Sequence, residues 1–210
     1  MKIIIFGTNE ISLMAKFYFE KDSNFEVFGF CVDSDFIKES SLENKPVLSF
    51  DGIENDFPSK DYLFFAPLYE NKLREIKVNQ IILKGYNLAT YISSKSTVFA
   101  KKIGFNCFIL ENNVIQPYVE IGNNNIFWSG NHIGHHSVIK NNTFFSSHVV
   151  LSGKCVVEDY CWFGVNSCVK DGVKIDEGSF ISMGAVVMKK TKPYKKYTGN
   201  PAKEYGNVIS

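Results

Sequence analysis

The chain has 210 residues, 45% of them hydrophobic and 21% charged, the balance of an ordinary folded protein long enough to bury a core. Its 23 Lys and Arg residues against 22 Asp and Glu leave a net charge of +1, which argues against a general nucleic-acid binder. No run approaches the roughly eighteen apolar residues of a membrane span, and the apolar run in the opening MKIIIFGTNE is too short for an export signal. The expectation is a cytoplasmic protein with no membrane partner.

The first 95 residues alternate strand and helix patterns. Lys2 to Phe6 reads as a buried strand, followed by the turn Gly7-Thr8-Asn9. A helix is predicted over Glu10 to Asp22, with Ile11, Met14, Ala15 and Tyr18 at helical spacing. Strands follow at Phe25 to Val32 and Tyr62 to Ala66, a helix at Asn71 to Leu83, and Asn87 to Ile92 closes the unit. This order predicts a small parallel α/β domain, Rossmann-like in plan, whose ligands sit at the carboxyl ends of the strands. Gly7, Thr8 and Asn9 lie at one such end and Asp33 at another. Only one glycine of a G-x-G-x-x-G fingerprint is present, so Gly7 reads either as a ligand loop or as a plain turn.

Residues 96–210 carry a different period. From Ile103 to Val187 every sixth residue is apolar without exception, and two residues before each, from Cys107 on, stands a small residue, a Val or an Asn. A period of six fits neither a helix nor simple strand alternation. It fits short strands joined by tight corners, three hexads to a triangular coil, in a parallel β-helix. About five coils are expected, with corners at Gly and Asn such as Gly122-Asn123-Asn124 and Asn141-Asn142. Residues eighteen apart then lie one above the other. The five cysteines form no C-x2-C pair and read as small buried hydrophobes.

All four histidines, His132, His135, His136 and His148, fall in this array. Eighteen residues beyond them stand Val150, Gly153, Lys154 and Asn166. No histidine stacks on another and Lys154 would repel a cation, so no metal centre is expected. The stacking instead places Gly153 above His135. A histidine base beside an accessible glycine N–H suits acyl transfer, with the N–H holding the oxyanion. Between Glu177 and Glu204 six lysines accumulate with no acidic residue, reading either as a solvated tail or as a counter-charge for a polyphosphate such as coenzyme A.

The hexad array, His135-His136-Ser137-Val138-Ile139, Leu151-Ser152-Gly153, Gly164-Val165-Asn166-Ser167-Cys168-Val169 and Gly199-Asn200-Pro201-Ala202-Lys203 resemble the sugar O/N-acyltransferases of the sialic acid O-acetyltransferase and bacillosamine-pathway N-acetyltransferase type. The resemblance covers nearly the whole chain. It implies a left-handed β-helix, a homotrimer with acetyl-CoA between adjacent helices, and an N-terminal domain that holds a nucleotide-linked sugar. By the same resemblance, His135 is the base and Gly153 contacts the acetyl group. Gly153, Gly164, Ser182, Gly184 and Lys203 would meet acetyl-CoA, and Gly7, Thr8, Asn9 and Asp33 the nucleotide sugar. Where the family carries Asp or Glu after the histidine, this chain carries His136. Either His136 or a residue of a neighbouring coil orients His135, or the base is weaker than usual.

The resulting expectation is an acetyl-CoA-dependent N-acetyltransferase acting on the amino group of a nucleotide-linked amino sugar in surface glycan biosynthesis. The alternatives are sugar O-acetylation and a non-catalytic β-helix scaffold.

Overall fold

The computed structural model describes residues 1–208 and separates into two compact units, Met1–Tyr91 and Ile92 onward. In the first unit β1 (Lys2–Phe6), α1 (Glu10–Lys21), β2 (Glu26–Val32), β3 (Ser41–Leu42), β4 (Lys45–Ser49), α2 (Ile53–Asp56), β5 (Tyr62–Phe65) and α3 (Asn71–Leu83) follow in order. The sheet order is β3-β4-β2-β1-β5. β4, β2, β1 and β5 are parallel, and β3 pairs antiparallel with β4 as a hairpin. Ile3, Ile4, Ile5, Phe30, Phe64 and Phe65 are fully buried in its strands. α1 buries Ile11, Ala15 and Phe19, and α3 buries Val78 and Ile81. The hairpin and α2 are not predicted from the sequence. Their elements are two to five residues long, too short to display a period.

The second unit is a parallel β-helix with three sheets. One contains the strands Thr97–Val98, Val114–Ile115, His132–Ile133, Val150–Leu151, Cys168–Val169 and Val186–Val187. A second runs from Lys102–Ile103 to Lys174–Ile175, and the third includes Phe108–Ile109 through Phe180–Ile181. His132 pairs with Val150 and Val150 with Cys168, so the eighteen-residue stacking rule holds. The inward column is buried from Ile109 to Val187, with Phe127, Phe145 and Phe163 stacked ring on ring at 4.7 and 4.5 Å. Interior polar residues form ladders of their own. Asn125 Oδ1 accepts from Thr143 N–H at 2.9 Å, and Asn131 Oδ1 from Val149 N–H at 2.8 Å. Four cysteines are buried and Cys168 half-buried, all with free thiols. Burial pushes the thiols of Cys31 and Cys161 far up.

The corners are more regular than the sequence suggests. Every sixth residue from Asn106 to Gly184 has a positive φ, and Asn holds five of these places. His136, His148, Lys154, Tyr118 and Tyr160 occupy others, and none of the residues at these places is β-branched. The left-handed corner residues of the two predicted turns are therefore Asn124 and Asn142. Gly122 serves a different purpose, because a Cβ there would lie 2.6 Å from Lys140 O in the next coil.

The end of the array is closed by Lys195–Thr198, parallel to Phe180–Ile181, and by Lys203–Asn207, antiparallel to it. The basic run is partly neutralised. Lys192 and Lys195 pair with Glu204 at 3.0 and 3.3 Å, and Lys190 with Asp176 at 3.3 Å. Among the described residues no helix is long and apolar enough to cross a membrane.

Candidate active site

His135 stands in the corner that follows the strand His132–Ile133. Its backbone N–H donates to Gln116 Oε1 at 2.8 Å, and its carbonyl accepts from Lys154 N–H at 2.8 Å. These bonds tie the corner to the coils on both sides, while the imidazole remains exposed. His135 Nδ1 lies 3.0 Å from His136 Nδ1, so one nitrogen donates and the other accepts. For His135 Nε2 to accept a proton, the ring proton must sit on Nδ1. His136 is then the acceptor and keeps its own proton on Nε2. The His136 ring packs against Tyr118 at 4.6 Å, and its φ of 57° is that of a corner residue.

Gly153 is buried one coil away, directly against this imidazole. A Cβ on Gly153 would stand 2.8 Å from His135 Nε2 and 2.9 Å from Asp171 Oδ1. Gly153 does not have a positive φ, so here glycine serves close approach rather than backbone freedom. Among the described residues its N–H has no hydrogen-bond partner. A buried, unpaired N–H beside a histidine nitrogen is the arrangement an oxyanion needs. Sequence reasoning missed Asp171. Applying the eighteen-residue step twice from His135 reaches it.

The other expected coenzyme contacts lie elsewhere on the prism. Gly164, Ser182 and Gly184 occupy the corner preceding the six-stranded sheet, whereas His135 and Gly153 occupy the corner following it. One chain does not bring the two groups together. A Cβ on Gly164 would meet Met183 N at 2.4 Å, and Gly184, with φ 66°, is a left-handed corner. Ser182 Oγ lies 3.1 Å from the Tyr205 hydroxyl. Lys203 is exposed in the final strand with no ion pair among the described residues. Near it, Lys189, Lys190, Lys192, Tyr197 and Pro201 line a cleft of about 310 Å³.

In the first unit, Thr8 lines a cleft of about 190 Å³ with Phe36, Lys38, Glu39, Leu42 and Val47. Asn9 is the N-cap of α1, its Oδ1 accepting from Ser12 N–H and Ser12 Oγ at 3.3 and 2.9 Å. Gly7 has φ 112°, and a Cβ there would meet Ser12 Oγ at 2.6 Å. Asp33 pairs with Lys77 Nζ at 2.7 Å. Three of the four expected ligand residues therefore have structural work of their own. Among the described residues no group of three or more His, Cys, Asp or Glu side chains could hold a metal.

No family model matches the chain. It is 33% identical over 115 residues to the acyl-[acyl-carrier-protein]–UDP-N-acetylglucosamine O-acyltransferase of Sinorhizobium fredii, covering 51% of this chain and 43% of that protein. It is 23% identical over 190 residues to the tetrahydropyridine-dicarboxylate N-succinyltransferase of Acinetobacter baylyi, covering 84% of this chain and 66% of that one. The chain thus spans less than two thirds of each. Among solved structures, a mutant perosamine N-acetyltransferase from Caulobacter crescentus, in complex with CoA and GDP-perosamine, superposes with a TM-score of 0.87 at 20% identity, covering 99% of this chain and 98% of that one. The acetyltransferase domain of PglB from Neisseria gonorrhoeae, solved with acetyl coenzyme A, superposes at 0.83 and 18% identity, over 97% of this chain and 98% of that one. The chain has the β-helix fold of these acetyltransferases, as the sequence resemblance implies.

Proposed function

We propose that the protein is an acetyl-CoA-dependent N-acetyltransferase acting on the amino group of a nucleotide-linked amino sugar. The observation that carries this reading is the His135 imidazole set against the buried, unpaired N–H of Gly153, in a fold shared with acetyltransferases solved with CoA and GDP-perosamine. The amine nitrogen attacks the thioester carbon and the C–S bond breaks with its electron pair on sulfur. The nitrogen's proton passes to His135 Nε2 and on to the departing thiolate. Gly153 N–H holds the carbonyl oxygen as charge gathers on it. His136, hydrogen-bonded to Nδ1, fixes the ring and its tautomer in the place of the family's carboxylate.

The β-helix is read as left-handed and its assembly as a homotrimer. The trimer is favoured because His135 and Gly153 on one corner, and Gly164, Ser182 and Gly184 on another, form one coenzyme groove only when adjacent copies face each other. Lys203 would then lie at the basic end of that groove. The first unit is read as a Rossmann-like nucleotide-sugar domain. Its parallel strands lie in the order third, second, first, fourth, so ligands belong beyond the ends of β1 and β5, where Gly7, Thr8 and Asn9 stand, with Asp33 at the end of β2. A second reading, O-acylation, is favoured by the identity to the Sinorhizobium O-acyltransferase.

The test is thiol release from acetyl-CoA with UDP-, GDP- and dTDP-linked amino sugars and their hydroxyl counterparts. The wild type is expected to turn over an amino sugar, and His135→Ala to lower kcat by about a hundredfold or more with substrate KM nearly unchanged. Near-normal kcat in His135→Ala at neutral pH refutes the assignment.

A further inference from the structure

We propose that Asp171 selects the acceptor: its carboxylate receives the sugar amine as an ammonium ion beside His135 and so favours nitrogen over oxygen acceptors. The proposal rests on the acetyltransferase reading above and adds to it a residue that the sequence did not single out.

One corner of the prism shows what a backbone donor at this place in the hexad can do. Two residues after the inward apolar position, Phe105 N–H donates to Asn123 Oδ1 at 3.1 Å, Asn123 N–H to Asn141 Oδ1 at 2.8 Å, and Asn141 N–H to Asp159 Oδ1 at 2.6 Å. Each donor finds the side-chain oxygen of the residue eighteen positions on. Gly153 and Asp171 stand in the same sequence relation on another corner, where no such bond is made. Both the Gly153 N–H and the Asp171 carboxylate are without a hydrogen bond or ion pair among the described residues.

His135 Nε2 and Asp171 Oδ1, from the coils before and after Gly153, each come within 2.9 Å of the place a Cβ on Gly153 would take. A side chain here would collide with both groups. Glycine lets an imidazole nitrogen and a carboxylate, both on exposed residues, stand together beside its N–H.

The three groups suit three different parts of the reaction. The N–H is a donor, for the thioester oxygen. His135 Nε2 is the proton acceptor. Asp171 offers negative charge, which the His136 imidazole cannot supply where the related sugar acyltransferases carry Asp or Glu. A primary amine on a sugar is largely protonated near neutral pH, and an ammonium group next to a carboxylate gains charge-assisted hydrogen bonds that a hydroxyl gains far less strongly. The bound ammonium first gives one proton through His135 to solvent, freeing the lone pair that attacks the thioester. Overall, the ammonium sugar and acetyl-CoA give the amide, CoA thiol and that proton. Asp171 is unchanged by the cycle.

Asp171→Asn keeps the shape and removes the charge. The probes are GDP-perosamine and UDP- and dTDP-linked 4-amino sugars, each beside its 4-hydroxyl counterpart. With the best of these pairs, the variant is expected to lose about tenfold in kcat/KM for the amine relative to the hydroxyl, the scale of one charge-assisted hydrogen bond, with the acetyl-CoA KM unaltered. An amine-to-hydroxyl ratio equal to the wild type's overturns the proposal. Should the wild type transfer acetyl to none of the probes, the acetyltransferase reading fails on its own. Equilibrium binding of the same amine and hydroxyl pairs then decides Asp171, and equal amine preference in wild type and variant overturns it.

Discussion

The substitution Gly153→Ala separates chemistry from folding. The new Cβ would sit 2.8 Å from His135 Nε2, 2.9 Å from its Cε1 and 2.9 Å from Asp171 Oδ1, all closer than real Cβ contacts allow. Each of these atoms is the far end of a side chain that can turn away, and turning a side chain off its preferred rotamer costs about 0.5–1.5 kcal/mol. Against this, alanine at a position without a positive φ restricts the unfolded chain and stabilises the fold by about 0.4–1 kcal/mol. The two effects nearly cancel, so a change within about 1 kcal/mol is expected, which for a chain of this size moves Tm by only about 2–4 °C. Activity has no such compensation. Moving a reacting nitrogen by about 1 Å costs on the order of a hundredfold in rate. Differential scanning fluorimetry and thiol release on the same preparation should therefore give a folded protein with kcat reduced by about a hundredfold. Wild-type kcat in this variant would refute the placement of His135 over Gly153. A Tm drop of more than about 10 °C would refute the claim that the contact is one of side-chain ends alone.

Other substitutions test the remaining levels. His148 has φ 60° at a corner, so His148→Val should cost about 1–2 kcal/mol while His148→Asn stays near neutral; equal denaturant midpoints for the two would refute the left-handed requirement. Lys140 and then Lys174, both hydrogen-bonded to Glu158, hold its carboxyl below the usual carboxylate range. The folded chain therefore binds this proton less readily than the unfolded chain, and the stabilisation is complete at neutral pH and lost as pH falls through that lowered value. The Tm advantage of wild type over Glu158→Gln should shrink between about pH 7 and pH 3, and a constant difference would contradict it. Asp33→Ala should raise the KM for the nucleotide sugar several-fold and leave that for acetyl-CoA alone. Both constants unchanged would leave the Asp33–Lys77 pair a purely structural one.

The β-helix was legible because its period is written in every hexad. One apolar side chain per six residues has to point inward, and no exception interrupts the series from Ile103 to Val187. The corner conformation was legible only in composition. Glycine and asparagine announced turns, but Tyr118, His136, Lys154 and Tyr160 take the same left-handed backbone without signalling it. The pairing of His135 with Gly153 followed from stacking alone. Asp171 was equally within reach of that rule, but nothing in its immediate sequence, Lys170-Asp171-Gly172, distinguishes it from an ordinary turn. In the first unit β1, β2, β5 and both long helices could be read from the sequence, whereas the β3–β4 hairpin and α2 could not. The roles of Asn9 as a helix cap and of Asp33 as the partner of Lys77 depend on contacts that local sequence does not display.

In the stacked coils, neighbours in space are eighteen residues apart in the chain, and shape and chemistry are inherited separately. Removal of residues 140–157 would join Ile139 to Glu158 without disturbing the inward apolar phase or the corner phase. A shorter prism should still fold, since each coil rests only on those beside it. Yet Gly153 would be gone and Asp171 would take its register place above His135, bringing a side chain where the site had none. A single in-frame loss of one coil would thus recombine the residues of a site while keeping the scaffold.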